Sequence, residues 1–332
     1  MFNALVLDRS EGRLQVDVQE LVVDDLPDAG PQQVHVEVLY SSVNYKDALA
    51  VTGAGKIIRG GYPIVPGIDL VGRVLESKRE DLEEGELVIG TGWQLGEVDW
   101  GGYTQRAKVD GSKLVRLPKH MTPKEAMVAG TAGFTAMLSV LALEDHDVDP
   151  DDGEIVVTGA SGGGGSMAIT LLDTLDYEVV ASSGSEEAHQ YLRDRGADRI
   201  VHRSAFEDGP ERPMESGKWA GAVDAVGGQT LATLLAQLQR HGTVASYGNA
   251  AGHELNTSVF PFILRGVNLI GIDSNTCPNK RRQAAWRRMA SVLSSDDIQE
   301  MTARTVGLDE VPEACEELLS GDIRGRVVVD LQ

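Results

Sequence analysis

The stretch that most constrains this 332-residue chain is Glu154-Ile-Val-Val-Thr-Gly-Ala-Ser-Gly-Gly-Gly-Gly165-Ser-Met-Ala-Ile-Thr-Leu-Leu172. A β-branched run, Ile155 to Thr158, meets a glycine cluster that leads into apolar residues at helical spacing. That order predicts strand, tight turn and helix. Gly159, Gly162 and Gly165 form G-x-x-G-x-x-G, one residue longer at the first gap than the dinucleotide-binding fingerprint. Glycine permits positive φ and close approach of a pyrophosphate to the backbone. The free N–H groups that open the helix would then face the phosphates. A second β run, Glu178-Val-Val-Ala-Ser182, completes a βαβ unit.

Ser183-Gly184-Ser185 stands where that second strand should end. An NAD enzyme usually carries Asp or Glu there to hold the ribose 2′-hydroxyl. Small hydroxyl residues leave room for a 2′-phosphate instead, so NADP is expected over NAD. An ordinary serine-rich turn has the same composition, and Glu186 and Glu187 follow directly.

Around this unit the texture of the chain changes twice. Residues 1–123 are β-rich: Leu14-Gln-Val-Asp-Val-Gln and Gln33-Val-His-Val-Glu-Val-Leu alternate with the period of half-buried antiparallel strands. Further strands are expected at Leu70–Glu76, Glu86–Gly90 and Leu114–Leu117, with turn clusters between. Many short strands without helical alternation suggest a barrel-like domain. At Thr122-Pro-Lys-Glu125 a helix should start, with Thr as cap, Pro at the first position and Glu three after the cap. Strand and helix patterns then alternate, which predicts a doubly wound parallel sheet over 124–294. Residues 295–332, closing with Gly325-Arg-Val-Val-Val-Asp-Leu, are assigned back to the first domain.

Net charge is −21, from 51 acidic and 30 basic residues, which argues against nucleic acid and anionic membranes as partners. With 9 Lys against 21 Arg, the composition fits a halophilic protein. At molar salt the Debye length falls to about 3 Å and self-repulsion is screened. Met1-Phe-Asn-Ala-Leu has no basic n-region or cleavage site, and Ala129 to Leu143 is interrupted by Thr131, Gly133, Thr135 and Ser139. That run reads as too short to span a bilayer, and a cytoplasmic location is expected. Two cysteines, Cys277 and Cys315, cannot build a four-cysteine zinc site, and no Cys/His cluster has ligand spacing. No metal is expected.

Several segments together resemble the zinc-independent branch of the medium-chain dehydrogenase/reductases. They are Ser41-Ser-Val-Asn-Tyr-Lys-Asp-Ala-Leu, Pro63-Ile-Val-Pro-Gly-Ile-Asp-Leu-Val-Gly72, Gly130-Thr-Ala-Gly-Phe-Thr-Ala-Met, Val157-Thr-Gly-Ala-Ser-Gly-Gly, Pro261-Phe-Ile-Leu-Arg-Gly-Val, Gly271-Ile-Asp-Ser and Gly325-Arg. Within that branch the chain is most similar to the acrylyl-CoA reductases, also described as YhdH/YhfP-type quinone oxidoreductases. Gly67-Ile-Asp69 stands where zinc-dependent relatives have Gly-His-Glu. The resemblance implies a Rossmann domain inserted in a GroES-like β-barrel substrate domain, NADPH as cofactor, a homodimer, and reduction of acryloyl-CoA to propionyl-CoA.

Matching positions imply a cofactor site. Ser161, Gly162, Gly163 and Gly164 would hold the pyrophosphate, and Ser183, Gly184, Ser185 and Arg203 would surround the 2′-phosphate. Asn249 and Ile263 would flank the nicotinamide ribose and ring, Ser274 would bond the carboxamide side, Tyr45 would lie beside the cofactor, and Arg324 nearby. Two departures stand out. Gly164 replaces a valine common in relatives, and Ser185 replaces an arginine that would fork onto the phosphate.

Hydride delivery to the β-carbon of an unsaturated thioester builds an enolate and leaves the α-carbon in need of a proton. Groups that meet that developing charge accelerate the step. Tyr45 is the candidate proton donor or enolate partner, or else it packs against the nicotinamide. Asn44 would orient substrate, and Asp69 would orient a donor or satisfy local N–H groups. Lys56 and Arg59, in the loop after the Asn-Tyr-Lys motif, would contact CoA phosphates, or else are solvated loop charges. Alternatives are an NADPH:quinone or enone oxidoreductase, and a non-catalytic NADPH-binding protein. Val267–Ile272 would be the sheet edge available to a second subunit.

Overall fold

Alternating apolar residues need a partner sheet edge and one dry face, and the first third of the chain supplies both. In the computed structural model, which describes residues 1–332, strands β1 (Phe2–Ser10) and β2 (Arg13–Leu21) form an antiparallel hairpin. Strand β3 (Gln33–Ser42) buries Val34, Val36 and Val38 and leaves His35 and Glu37 half-exposed between them. It is followed by helix α1 (Tyr45–Val51) and strands β4 (Asp69–Ser77), β5 (Leu87–Thr91), β6 (Arg106–Asp110) and β7 (Leu114–Arg116). The expected strands are present. Helix α1 is a correction to a region read as all strand and turn, because seven residues between polar segments are too few to show helical periodicity.

Helix α2 (Pro123–Glu144) starts as the sequence predicts. The Thr122 N–H donates to Glu125 Oε2 at 2.6 Å, and the Glu125 N–H donates to Thr122 Oγ1 at 3.3 Å. Its 22 residues are long and apolar enough to cross a membrane by length and composition, which corrects the reading of this run as too short. The helix is a core element, 83% buried over its apolar window and broken at Gly130.

Beyond it the chain alternates as expected. The elements are β8 (Ile155–Val157), α3 (Gly163–Thr174), β9 (Val179–Ser183), α4 (His189–Asp194), β10 (Arg199–His202), α5 (Ser204–Glu207), β11 (Trp219–Asp224), α6 (Gly228–Gln237), β12 (Leu238–Ser246), α7 (Phe260–Arg265) and β13 (Asn268–Gly271). The six strands are parallel, in the order β10-β9-β8-β11-β12-β13. That is the Rossmann order, with its topological switch point between β8 and β11. Val156, Val180, Ala222 and Val244 are fully buried along the strand centres.

The chain ends in α8 (Asn279–Val292), α9 (Ser295–Met301), β14 (Thr302–Val306), α10 (Val311–Ser320) and β15 (Arg326–Asp330). Strand β15 pairs antiparallel with β3, so the C-terminus closes the first sheet in the order β14-β15-β3-β4-β5-β7, with β6 also on β3. The compact units are Met1–Thr131 with Ser274–Gln332, and Ala132–Asp273. The boundaries drawn from sequence, 123/124 and 294/295, therefore shift. Helix α8 moves to the first unit because the fully buried Arg282 guanidinium donates to Thr91 O at 2.7 Å, Thr91 Oγ1 at 2.6 Å and Ser274 O at 3.0 Å.

Candidate active site

In the first unit, the N-terminus of α1 presents Tyr45 to solvent, 64% exposed, immediately after the buried Asn44. A polar network beneath them fixes that backbone. Asp69, fully buried at the start of β4, accepts four hydrogen bonds through its carboxylate. Oδ2 takes Ser42 Oγ at 2.7 Å, Asn44 Nδ2 at 2.8 Å and the Thr131 N–H at 2.8 Å, and Oδ1 takes Thr131 Oγ1 at 2.5 Å. Arg326, also buried, donates to Asn44 Oδ1 at 3.0 Å, Ser42 Oγ at 3.3 Å and the carbonyls of Val43 and Val128. The buried negative and positive charges are thus joined through Ser42 and Asn44, the arrangement that makes burial of charge tolerable. Gly130 is required at its position. Its φ is +51°, and a Cβ there would lie 2.6 Å from Asp69 Oδ2 and 2.8 Å from Ser42 Oγ.

Asn44 and Asp69 direct all of this bonding inward, toward the protein. Asp47, on the first turn of α1, accepts from the N–H groups of Asn44 at 3.0 Å and Ile68 at 2.9 Å. Burial, and then the Asp69 carboxylate, push its carboxyl up to about 7, against the opposing effect of those hydrogen bonds. Burial likewise raises the Tyr103 phenol and the Cys315 thiol.

Arg59 is not a free cation. Glu97, 5% exposed, holds Arg59 Nη2 and Lys46 Nζ at 2.8 Å each, while both cation side chains stay about half exposed. Lys56 is exposed in the same loop. Ser274 is half-buried and its carbonyl is bound by Arg282; Arg324 is exposed.

In the second unit the glycine turn has the form expected. Gly162 caps α3, and the first helical bond runs from the Ser166 N–H to the Gly162 carbonyl at 2.9 Å. The N–H groups of Gly163, Gly164 and Gly165 are those a helix leaves without intrahelical partners. A Cβ on Gly165 would lie 2.3 Å from the Gly159 carbonyl, so the turn and helix are in direct contact. Ser161 and Gly164 are half-buried and Gly162 exposed. Fully buried Asp224 ties the strand ends that frame the switch point. It accepts from Thr158 Oγ1 at 2.6 Å, the Gly227 N–H at 3.0 Å and Ser246 Oγ at 3.1 Å.

Ser183 ends β9 buried, and Gly184 and Ser185 are exposed beside it. The Arg203 N–H donates to Ser183 O at 3.2 Å. The Arg203 stem crosses Gly184 so closely that a Cβ there would meet Nε at 2.5 Å. Ser183, Gly184, Ser185 and Arg203 therefore share one strand end. Asn249 is exposed after β12, and Ile263 is 68% exposed on α7.

Tyr247, following β12, has its hydroxyl 2.6 Å from where a Gly164 Cβ would lie. The space that a valine would take is filled by this ring. Sequence reasoning missed Thr131, Arg326, Asp47, Glu97, Asp224 and Tyr247. A signal was present for the first three, since they lie in the Gly130-Thr, Gly325-Arg and Asn44-Tyr-Lys-Asp segments.

Residues 30–119 match the alcohol dehydrogenase GroES-like domain, and residues 163–294 match the family described as zinc-binding dehydrogenase. The chain belongs to the medium-chain dehydrogenase/reductase family. It is 47% identical over 333 residues to the acrylyl-CoA reductase AcuI of Ruegeria pomeroyi, covering 100% of this chain and 99% of that one. It is 44% identical over 331 residues to YhfP of Bacillus subtilis, which is named as a quinone oxidoreductase, over 100% of this chain and 99% of that protein. The yhdH oxidoreductase of Salmonella enterica, solved in complex with NADP, superposes with a TM-score of 0.95 at 45% identity, covering 99% and 100% of the two chains. YhfP, solved with NAD bound, superposes with a TM-score of 0.94 at 43% identity, covering 99% of each chain.

Proposed function

We propose that this chain is an NADPH-dependent reductase of activated carbon–carbon double bonds that converts acryloyl-CoA to propionyl-CoA. The observation that carries this is the end-to-end identity of 47% to an acrylyl-CoA reductase. The Rossmann strand end agrees with it, carrying serines and Arg203 where an NAD enzyme carries a carboxylate. Bound NADPH supplies the hydride. The glycine turn at 161–164 holds the pyrophosphate, and Ser183, Gly184, Ser185 and Arg203 hold the 2′-phosphate. Within the same unit, Asn249 and Ile263 flank the nicotinamide ribose and ring.

Tyr45 presents an exposed hydroxyl on a fixed backbone in the first unit, and it donates to the oxygen or carbon where charge develops. Asn44 and Asp69 are positioning residues: their polar atoms bond inward and hold the α1 N-terminus. Lys46 and Arg59 share the Glu97 carboxylate and Lys56 is exposed in the same loop as Arg59, cations that suit the phosphates of CoA. The finer readings are that the enzyme is a homodimer joined at the β13 edge, and that it is adapted to salt. An exposed apolar patch of Val259, Phe260 and Leu264 on and beside α7, just before β13, supports the first. The net charge of −21 supports the second.

Loss of absorbance at 340 nm in molar KCl, with NADPH and NADH each offered against acryloyl-CoA and a benzoquinone, tests the assignment. NADPH-selective turnover of acryloyl-CoA is expected, and replacing Lys56 and Arg59 together by Ala should raise its KM several-fold. Turnover of the quinone alone would favour the second reading, an NADPH:quinone oxidoreductase, which the identity to YhfP supports.

A further inference from the structure

The single cation at the strand end assigned to the 2′-phosphate already has a partner. Arg203 Nε lies 2.9 Å from Glu207 Oε1, one helical turn on, with the two side chains 68% and 46% exposed. The arginine is held there from both sides, by its N–H on Ser183 O and by its stem across Gly184. Glu207 therefore addresses the same guanidinium, at the same end of β9, as an incoming phosphate would. We propose that Glu207 is a specificity-determining residue that occupies Arg203 until a 2′-phosphate displaces it, and so sets how strongly the chain prefers NADPH to NADH. This rests on the NADPH assignment above.

The physical basis is competition between two anions for one guanidinium. A guanidinium prefers a forked, charge-assisted contact. An exposed carboxylate pair is weak enough to exchange. Without an arginine at position 185, no second fork donor stands in this segment, so whatever Arg203 gives to Glu207 is withheld from the phosphate. NADH carries no 2′-phosphate and leaves the Arg203–Glu207 pair in place. Its affinity is the internal control.

The test is to measure Kd for NADPH and NADH by nicotinamide fluorescence on the full chain, for the wild type, Glu207→Gln, Arg203→Gln and the double variant. Glu207→Gln should tighten NADPH binding about three- to tenfold, as expected for freeing the guanidinium from one exposed ion pair. NADH should change less than about twofold. With Arg203→Gln already present the gain should vanish, because Glu207 acts through the arginine. In molar KCl the gain should shrink, since both groups are exposed to screening. An unchanged NADPH/NADH ratio in Glu207→Gln would overturn the inference, and so would a gain that persists in the double variant. A wild-type chain that binds neither nucleotide would overturn the NADPH assignment and the inference together.

Discussion

The contact between Tyr247 and Gly164 shows how one residue's volume constrains another across the fold. A side chain at 164 would meet the Tyr247 hydroxyl at 2.6 Å and the ring at 3.2 Å. The glycine therefore has a packing reason beyond its flexibility, whose cost is under about 1 kcal/mol. Overpacking of this kind costs about 1–3 kcal/mol. Gly164→Val alone should lower Tm and weaken NADPH binding. Tyr247→Ala in the same chain should recover most of both losses, and a double-mutant cycle measures the coupling. If the two losses simply add, the residues do not share that space. Burial raises the Tyr247 phenol, so its hydroxyl stays protonated at neutral pH.

At the scale of elements, the N-terminus of α1 depends on a carboxyl that burial makes hard to ionise. Asp47 accepts the Asn44 N–H and so closes the first turn, yet its side chain is 1% exposed and lies near the Asp69 carboxylate. Its folded value of about 7 is above the ordinary 3.8. Stability from this group is therefore complete below about pH 4 and is lost as pH rises through about 7. Melting temperatures from pH 5 to 8 should fall more steeply for the wild type than for Asp47→Asn. The variant is less stable overall, because an amide cannot replace every hydrogen bond the carboxyl makes. His35, shifted downward chiefly by burial, contributes with the opposite sign and is common to both proteins, so the difference between the two slopes isolates Asp47. Parallel slopes would show that Asp47 does not titrate in this range.

For the whole molecule, 51 acidic against 30 basic residues set a self-repulsion that the Rossmann and GroES-like cores must outweigh. In dilute buffer, with a Debye length of about 30 Å, that repulsion reaches across the surface; at molar salt it reaches about 3 Å. Tm should therefore rise by several degrees or more from 10 mM to 1 M KCl. A flat Tm would remove salt adaptation from the description of this protein. Charge also bears on the cofactor, since Glu186 and Glu187 directly follow Ser185 and disfavour a dianion most at low salt.

The order of strands and helices, the glycine turn, the Thr122–Glu125 helix start and the serine-ended second strand could all be read from the chain. Each rests on local physics: a period of two or 3.6, a capping side chain, a residue small enough for a turn. The resemblance pointed to Asn44, Tyr45 and Asp69, but not to the bonds that join two of them to the rest of the network. Ser42, Asn44, Asp69, Thr131 and Arg326 come from four separated segments, and the bond from Arg326 to Ser42 Oγ spans 284 residues of sequence. Helix periodicity and turn chemistry say nothing about which buried carboxylate meets which guanidinium. Only the packed fold decided that Asn44 and Asp69 bond inward while Tyr45 stays exposed, that Glu97 holds Arg59, that Tyr247 fills the space beside Gly164, and that Arg203 is paired with Glu207. Periodicity reports which face of an element is dry, whereas the partners of a buried polar group are set by juxtapositions that exist only once the chain has folded.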